Sequence, residues 1–511
     1  MKPANVRRTD EVGECVESIL SHVGRDLRVA TPLGIGKSNA ILNELYRRAA
    51  RDSSIHLEIY TALSLVKPVA NGELESRLMG PIIGRLHGDY PDLDYVRAVR
   101  RRQLPPNVKI REFFMQAGAW LGIDSAQQDY ISLNYSDVAN ELIRRRVNVL
   151  VQSISRRIAD GREQLSLSSN PDLSLELLDY FDRCRSGGTA VIAVGGINPL
   201  MPFMLGDAPI DETRFDLLLD HPAYVHEPFA VPNPSIGLID HAIGLNVATL
   251  VRDGGTLQLG IGALGEACSY ALGLRHQRND VFRRALSELG VLPRFATDIE
   301  GIGGLQPFEQ GLYACTEMFF PGLLDLFRNG VLSRRVYPHP VLQELLASGE
   351  ISTKPDIQLL ASLAQAGLRQ ITARDFEGLA AAGLFRAGTR HDGMYTLIAP
   401  DGTRVPAILD DAAERARIAA LCLSRHLDGG CVLHAAFLLG SPGFYAALRD
   451  LDINDRKLFH MMSVQFTNTS VGNDAALKRA QRPRARFVNA TLLATLLGGA
   501  ASDTLPNGRV V

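Results

Sequence analysis

Tryptophan is nearly missing from this chain, with one residue in 511, and all aromatic residues together make up 6%. Cysteine is sparse as well. The six, at positions 15, 184, 268, 315, 422 and 431, are scattered with no CxxC pair. That spacing excludes a disulfide framework or a local zinc motif and fits a reducing compartment. Charge of one sign is lacking too: 54 Lys and Arg against 56 Asp and Glu leave a net charge of −2. Neither a nucleic acid nor an anionic membrane finds an electrostatic footprint on such a chain. The longest apolar stretches, near 430–440 and 487–501, are interrupted by His434, Gly and Ser, and fall short of the roughly 20 residues of a span. The opening segment, MKPANVRRTDEVGECVESIL, mixes acids and bases without the apolar run of a secretory signal. Repeats and low-complexity tracts are absent. The exclusions leave a cytoplasmic enzyme as the expectation.

What is present is alternation. Short apolar runs, VATPL (29–33), IHLEIYTALSL (55–65), VNVLVQSI (147–154), TAVIAVG (189–195), GTLQLGIG (255–262) and GLYACTEMF (311–319), alternate with segments of helical spacing. Strands separated by helices predict α/β architecture with a largely parallel sheet. The length exceeds one ordinary core, so more than one domain is expected. Prolines and an asparagine in VHEPFAVPNPSIG (225–237) interrupt both patterns. The boundary is placed there, giving domains over 1–230 and 231–511.

Three motifs invite chemistry. TPLGIGKS (31–38) has the layout of a phosphate loop, but the first glycine of the Walker pattern falls on Thr31. LQLGIGALGEA (257–267) places Gly260, Gly262 and Gly265 as G-x-G-x-x-G between a strand and a helix. A dinucleotide site would next need a strand ending in an acid about 20 residues on. ACSYALGLRHQRNDVFRRALSEL stays helical there instead, leaving an NAD-dependent dehydrogenase a remote alternative. Glycines that admit a ligand to the backbone, and free amides at a helix start, remain. In GLYACTEMFF (311–320), Glu317 is a carboxylate inside an apolar run. Its lost hydration must be offset by a partner or put to use. A strand-end glutamate held by a salt bridge is the bland reading. Cys315, without a histidine in defined relation, reads as a small buried hydrophobe.

Taken together, these stretches resemble the acetyl-CoA hydrolase/transferase family, a branch of the CoA-transferases. The resemblance is collinear over nearly the whole chain and also takes in IYTALSLVKP (59–68), VGGINPLMPFM (194–204), FTNTSVG (466–472) and QRPRARFVNATLLATLLGGAASDTLPNGRVV (481–511). It implies two related open, mixed or parallel-sheet α/β domains with the site between them. It implies Glu317 as the catalytic carboxylate, Gly260, Ile261, Gly262, Ala263 and Leu264 as the coenzyme A turn, and Asn489 as a further coenzyme A contact. Coenzyme A enters as substrate, with no metal. Acyl-CoA and a small carboxylic acid are the expected partners, and a homodimer the expected assembly. The implied reaction is acyl-CoA:carboxylate CoA transfer, with acetyl-CoA as the expected donor; hydrolysis of the same thioester at the same glutamate is the alternative. Lys37 and the group Arg482, Arg484 and Arg486 are candidate cations for coenzyme A phosphates. In the family the stretch matching NGRVV runs on into a glycine-rich Ser-Gly-Val-Gly-Gly-Gln segment. The second domain is accordingly expected to be incomplete, and a truncated, inactive coenzyme A-binding protein is the reading from a different class.

Overall fold

The computed structural model describes residues 6–70, 72–231 and 235–511; the central prolines of the 225–237 segment lie outside the described residues. Ten strands come from the first half: β1 (Arg7–Thr9), β2 (Asp26–Ala30), β3 (His56–Thr61), β4 (Val108–Glu112), β5 (Val149–Ala159), β6 (Arg162–Ser166), β7 (Ile192–Ile197), β8 (Leu205–Gly206), β9 (Pro209–Ile210) and β10 (Leu217–Leu219). Later come β11 (Thr256–Leu259), β12 (Tyr313–Phe319), β13 (Arg390–His391), β14 (Thr396–Ile398), β15 (Arg404–Pro406), β16 (Leu433–Leu438), β17 (Phe459–Met461) and β18 (Arg486–Val488).

The first sheet runs β1-β10-β7-β5-β2-β3-β4 and is parallel throughout, with β6 and β9 added antiparallel beyond β5. The second runs β18-β11-β12-β16-β17-β8, again all parallel. The fold class is therefore α/β with two parallel-based sheets, as the alternating pattern predicts. Their central strands are covered on both faces, which makes them continuous apolar runs rather than alternating ones. One connection was not visible in the pattern. β8, two residues long, leaves the first half to pair with β17, His460 opposite Leu205 and Met461 opposite Gly206. The halves share one hydrophobic core, reaching from Ala30 through Met204 and Leu259 to Val464. A separate core around Leu360, Leu397 and Cys422 holds the 337–427 region, where β13, β14 and β15 form an antiparallel sheet.

Strand order locates the crevice. In the second sheet the chain moves outward from β11 through β12, β16 and β17, and then returns to lay β18 on the other side of β11. Order reverses at β11 and β18, and open α/β sheets take ligands beyond the carboxyl ends of strands at such a point.

Candidate active site

Every residue of β12 is buried except Glu317. The carboxylate opens into a cavity of 290 Å³ lined by Gln258, Cys315, Glu317, Thr467, Asn468, Phe487 and Asn489. These residues come from β11, β12, β18 with the residue just past it, and the short helix Val464–Asn468. Burial pushes the Glu317 carboxyl up from the ordinary glutamate value, because a desolvated site disfavours the charged form. Asn468 pulls it partly back, its Nδ2 donating to Glu317 Oε2 at 3.0 Å. No salt bridge to Glu317 exists among the described residues. The glutamate is thus held by one neutral amide, which orients it without neutralising it. Cys315, two residues earlier on the same strand, is 2% exposed, with a thiol raised by burial.

At the other wall, Gln258 and Asn489 exchange side-chain hydrogen bonds of 3.0 and 3.1 Å. Asn489 also borders Gly260, where an added Cβ would lie 3.1 Å from Asn489 Oδ1. Glu317, Asn489 and the glycine turn are therefore brought to one place. The turn itself is tight: a Cβ on Gly265 would meet the Gly260 carbonyl oxygen at 2.0 Å. Gly262 sits at φ 86° immediately before the helix Ala263–Gln277, a conformation that favours glycine. The Gly260 amide donates to Val488 O at 2.7 Å, so it belongs to the sheet. The donors left for an anion are those of the first helical turn at Ala263, Leu264 and Gly265, which have no partner within the helix. Ile261 is exposed beside them.

Lys37 is elsewhere. Its Nζ lies inside the first half, bonded to the carbonyls of Gly34, Ala62 and Leu63 at 3.2, 2.6 and 3.2 Å. Burial lowers its pKa to about 7. The phosphate role expected of it fails because the ammonium is enclosed. Arg482, Arg484 and Arg486 likewise spend their guanidinium groups on backbone carbonyls, those of Thr469, Asp253 and Leu250 among them.

Sequence reasoning missed the residues that seat Asn468. The helix Val464–Asn468 is clamped from the first half: Val464 N donates to Asp172 O at 3.0 Å, and the Gln465 side chain donates to Ser136 O. Tyr135 donates to the Asp172 carboxylate and feels the charge of Glu317. The polar cluster in FTNTSVG was the only signal, and it does not say which amide turns inward. A larger cleft of 730 Å³ lies between Arg8, Arg157, Phe203 and Glu212. Its Glu163 and Glu212 carboxylates are neutralised by the Arg8 guanidinium, unlike that of Glu317.

No protein-family model matches the chain. Over 159 residues it is 28% identical to the 4-hydroxybutyrate coenzyme A transferase of Clostridium kluyveri, a match covering 31% of this chain and 33% of that protein. The aligned part thus spans about a third of that curated relative. Among solved structures, RipA from Yersinia pestis superposes with a TM-score of 0.54 at 18% identity, covering 98% of this chain and 74% of that one. A point mutant of RipA gives a TM-score of 0.55 at 17% identity, with coverages of 99% and 76%. Fold likeness extends over the whole chain, and the sequence match reaches a CoA-transferase by name. The chain is thus similar in fold to RipA and, over 159 residues, in sequence to a CoA-transferase.

Proposed function

We propose that this chain moves coenzyme A from an acyl-CoA to a small carboxylic acid, with Glu317 as the nucleophile. The observation that carries the reading is one partly desolvated carboxylate, free of any cation among the described residues, in a cavity shared with Asn489 at the sheet's switch point. A Glu317 oxygen attacks the thioester carbonyl, the C–S bond breaks, and coenzyme A leaves as a thiolate. The thiolate then attacks the glutamyl carbonyl of the resulting anhydride and expels the first acid. That leaves a glutamyl-CoA thioester, which an acceptor carboxylate resolves by the reverse steps. Burial suits this chemistry because a carboxylate stripped of water is a better nucleophile.

Size limits the donor. A 290 Å³ cavity is at the lower end of small-molecule sites and takes a short acyl group with the thioester end, leaving the nucleotide of coenzyme A outside. Acetyl-CoA fits that limit, and the acid in the relative's name, 4-hydroxybutyrate, is the first acceptor to try. Ala263 and Leu264 would supply amides to the coenzyme A chain, with Gly260, Ile261, Gly262 and Asn489 shaping its path. A cytoplasmic homodimer belongs to the same reading, supported by the family resemblance alone. Incubation with acetyl-CoA and intact-mass analysis tests it. The expected product is a single coenzyme A adduct, removable by hydroxylamine and missing from Glu317→Ala. An adduct that persists in Glu317→Ala refutes the assignment, and acetate release that ignores the acceptor acid identifies a hydrolase instead.

A further inference from the structure

Behind the candidate nucleophile, the same face of the second sheet carries a second set of chemical groups. Strand register sets Cys315 of β12 opposite His434 of β16, and His434 opposite His460 of β17. Cys431, just before β16, turns back so that its Sγ lies 3.2 Å from His434 Nε2. The ligand atoms of Cys431, His434 and His460 all fall within 4.8 Å of one another. We propose that these three side chains form a binding site for a borderline-soft divalent metal ion of the zinc class.

The geometry fits such an ion. With metal–sulfur and metal–nitrogen bonds of about 2.3 and 2.0 Å, a tetrahedral centre sets sulfur and nitrogen about 3.5 Å apart. The observed separation needs little adjustment. One thiolate and two imidazoles are a donor set for zinc or copper, not for magnesium or calcium. The orientation of His434 is fixed from behind. Its Nδ1 is 2.6 Å from Tyr313 Oη, so in the loaded site Nδ1–H donates to the phenol and the Nε2 lone pair faces the metal. A partner on the far nitrogen of this kind accompanies nearly every metal-bound histidine. Binding exchanges one bond for another: the Cys431 thiol gives its proton to solvent and its sulfur to the ion. Three protein ligands leave a tetrahedral ion's fourth place to water.

The ion would brace the candidate active site without touching substrate. Phe466 packs edge-on against the His434 ring at 4.9 Å, and its helix ends in Asn468. The pattern escaped sequence reading because only Cys431 and His434 are close in the chain; the third ligand arrives from the neighbouring strand.

Titration of metal-free protein with Co(II), then competition with Zn(II), tests the site without any assay of activity. The expected result is one equivalent bound, a thiolate-to-metal charge-transfer band, and release of about one proton per ion. Cys431→Ser should abolish the band, and His460→Gln should weaken binding more than tenfold with far-ultraviolet circular dichroism unchanged. Tyr313→Phe should keep the band and weaken binding about tenfold, the size of a second-layer effect. Absence of the band in the wild-type protein, or an unchanged band in Cys431→Ser, overturns the proposal.

Discussion

Replacing Asn468 by alanine separates the protonation of Glu317 from its placement. Asn468 gives Glu317 its one side-chain hydrogen bond among the described residues, at 3.0 Å. Burial raises the carboxyl pKa, and this bond opposes the rise. A hydrogen bond to a charged group contributes about 1.5–3 kcal/mol, and about 1.4 kcal/mol is a factor of ten in the protonation equilibrium. In the proposed mechanism only the ionised carboxylate attacks, so activity should fall as pH drops through the folded-state pKa. Removing the amide raises that pKa further, and the acid limb must move to higher pH. Acylation of Asn468→Ala by acetyl-CoA, followed by stopped-flow at several pH values, should therefore be at least tenfold slower on the acid side. The gap should narrow as pH rises and the carboxylate ionises again. Asn468→Asp puts a second carboxylate beside the first and should move the limb further in the same direction. An acid limb that stays in place in both variants refutes the idea that this amide sets the charge of Glu317. A uniform slowing at every pH assigns Asn468 to positioning alone.

Gly265→Ala drives a methyl group toward the Gly260 carbonyl, 2.0 Å away before relaxation. Overpacking of this kind costs about 1–3 kcal/mol, and calorimetry should show coenzyme A affinity down by tenfold or more. Asn489→Ala breaks the paired amides with Gln258. At about 1 kcal/mol per hydrogen bond, coenzyme A should bind several-fold more weakly while the mass adduct on Glu317 still forms. Lys37→Met leaves the carbonyls of Gly34, Ala62 and Leu63 without their donor. Leaving buried acceptors unsatisfied costs about 1–3 kcal/mol, to be read from urea unfolding. Coenzyme A affinity of the folded variant should not change, because the ammonium faces inward.

How much of this was legible in the sequence depends on what fixes each residue. A strand covered on both faces is apolar at every position, so a lone carboxylate in GLYACTEMFF stands out before any coordinates exist. The glycine turn is legible for a similar local reason, since its conformation constrains residue type directly. Asn468 is different. It is 151 residues from Glu317 in sequence, and its helix is held by contacts scattered over the chain, the Ser136 and Asp172 backbone and the Glu176 and Lys478 side chains among them, which no local pattern connects. Lys37 shows the converse. Its surroundings looked like a phosphate loop, but direction decides function, and a cage of carbonyls leaves no outward face. β8 was invisible because two residues cannot display a period. Local rules thus exposed the proposed nucleophile and its glycine turn, whereas the groups that orient them lie where the two sheets meet. The clamp on Val464–Asn468 makes that meeting part of the candidate site: the hydrogen bond to Glu317 from the second half is set by contacts from the first. Reading Glu317 alone therefore describes a half-buried carboxylate, and only the seam between the halves explains how it is aimed.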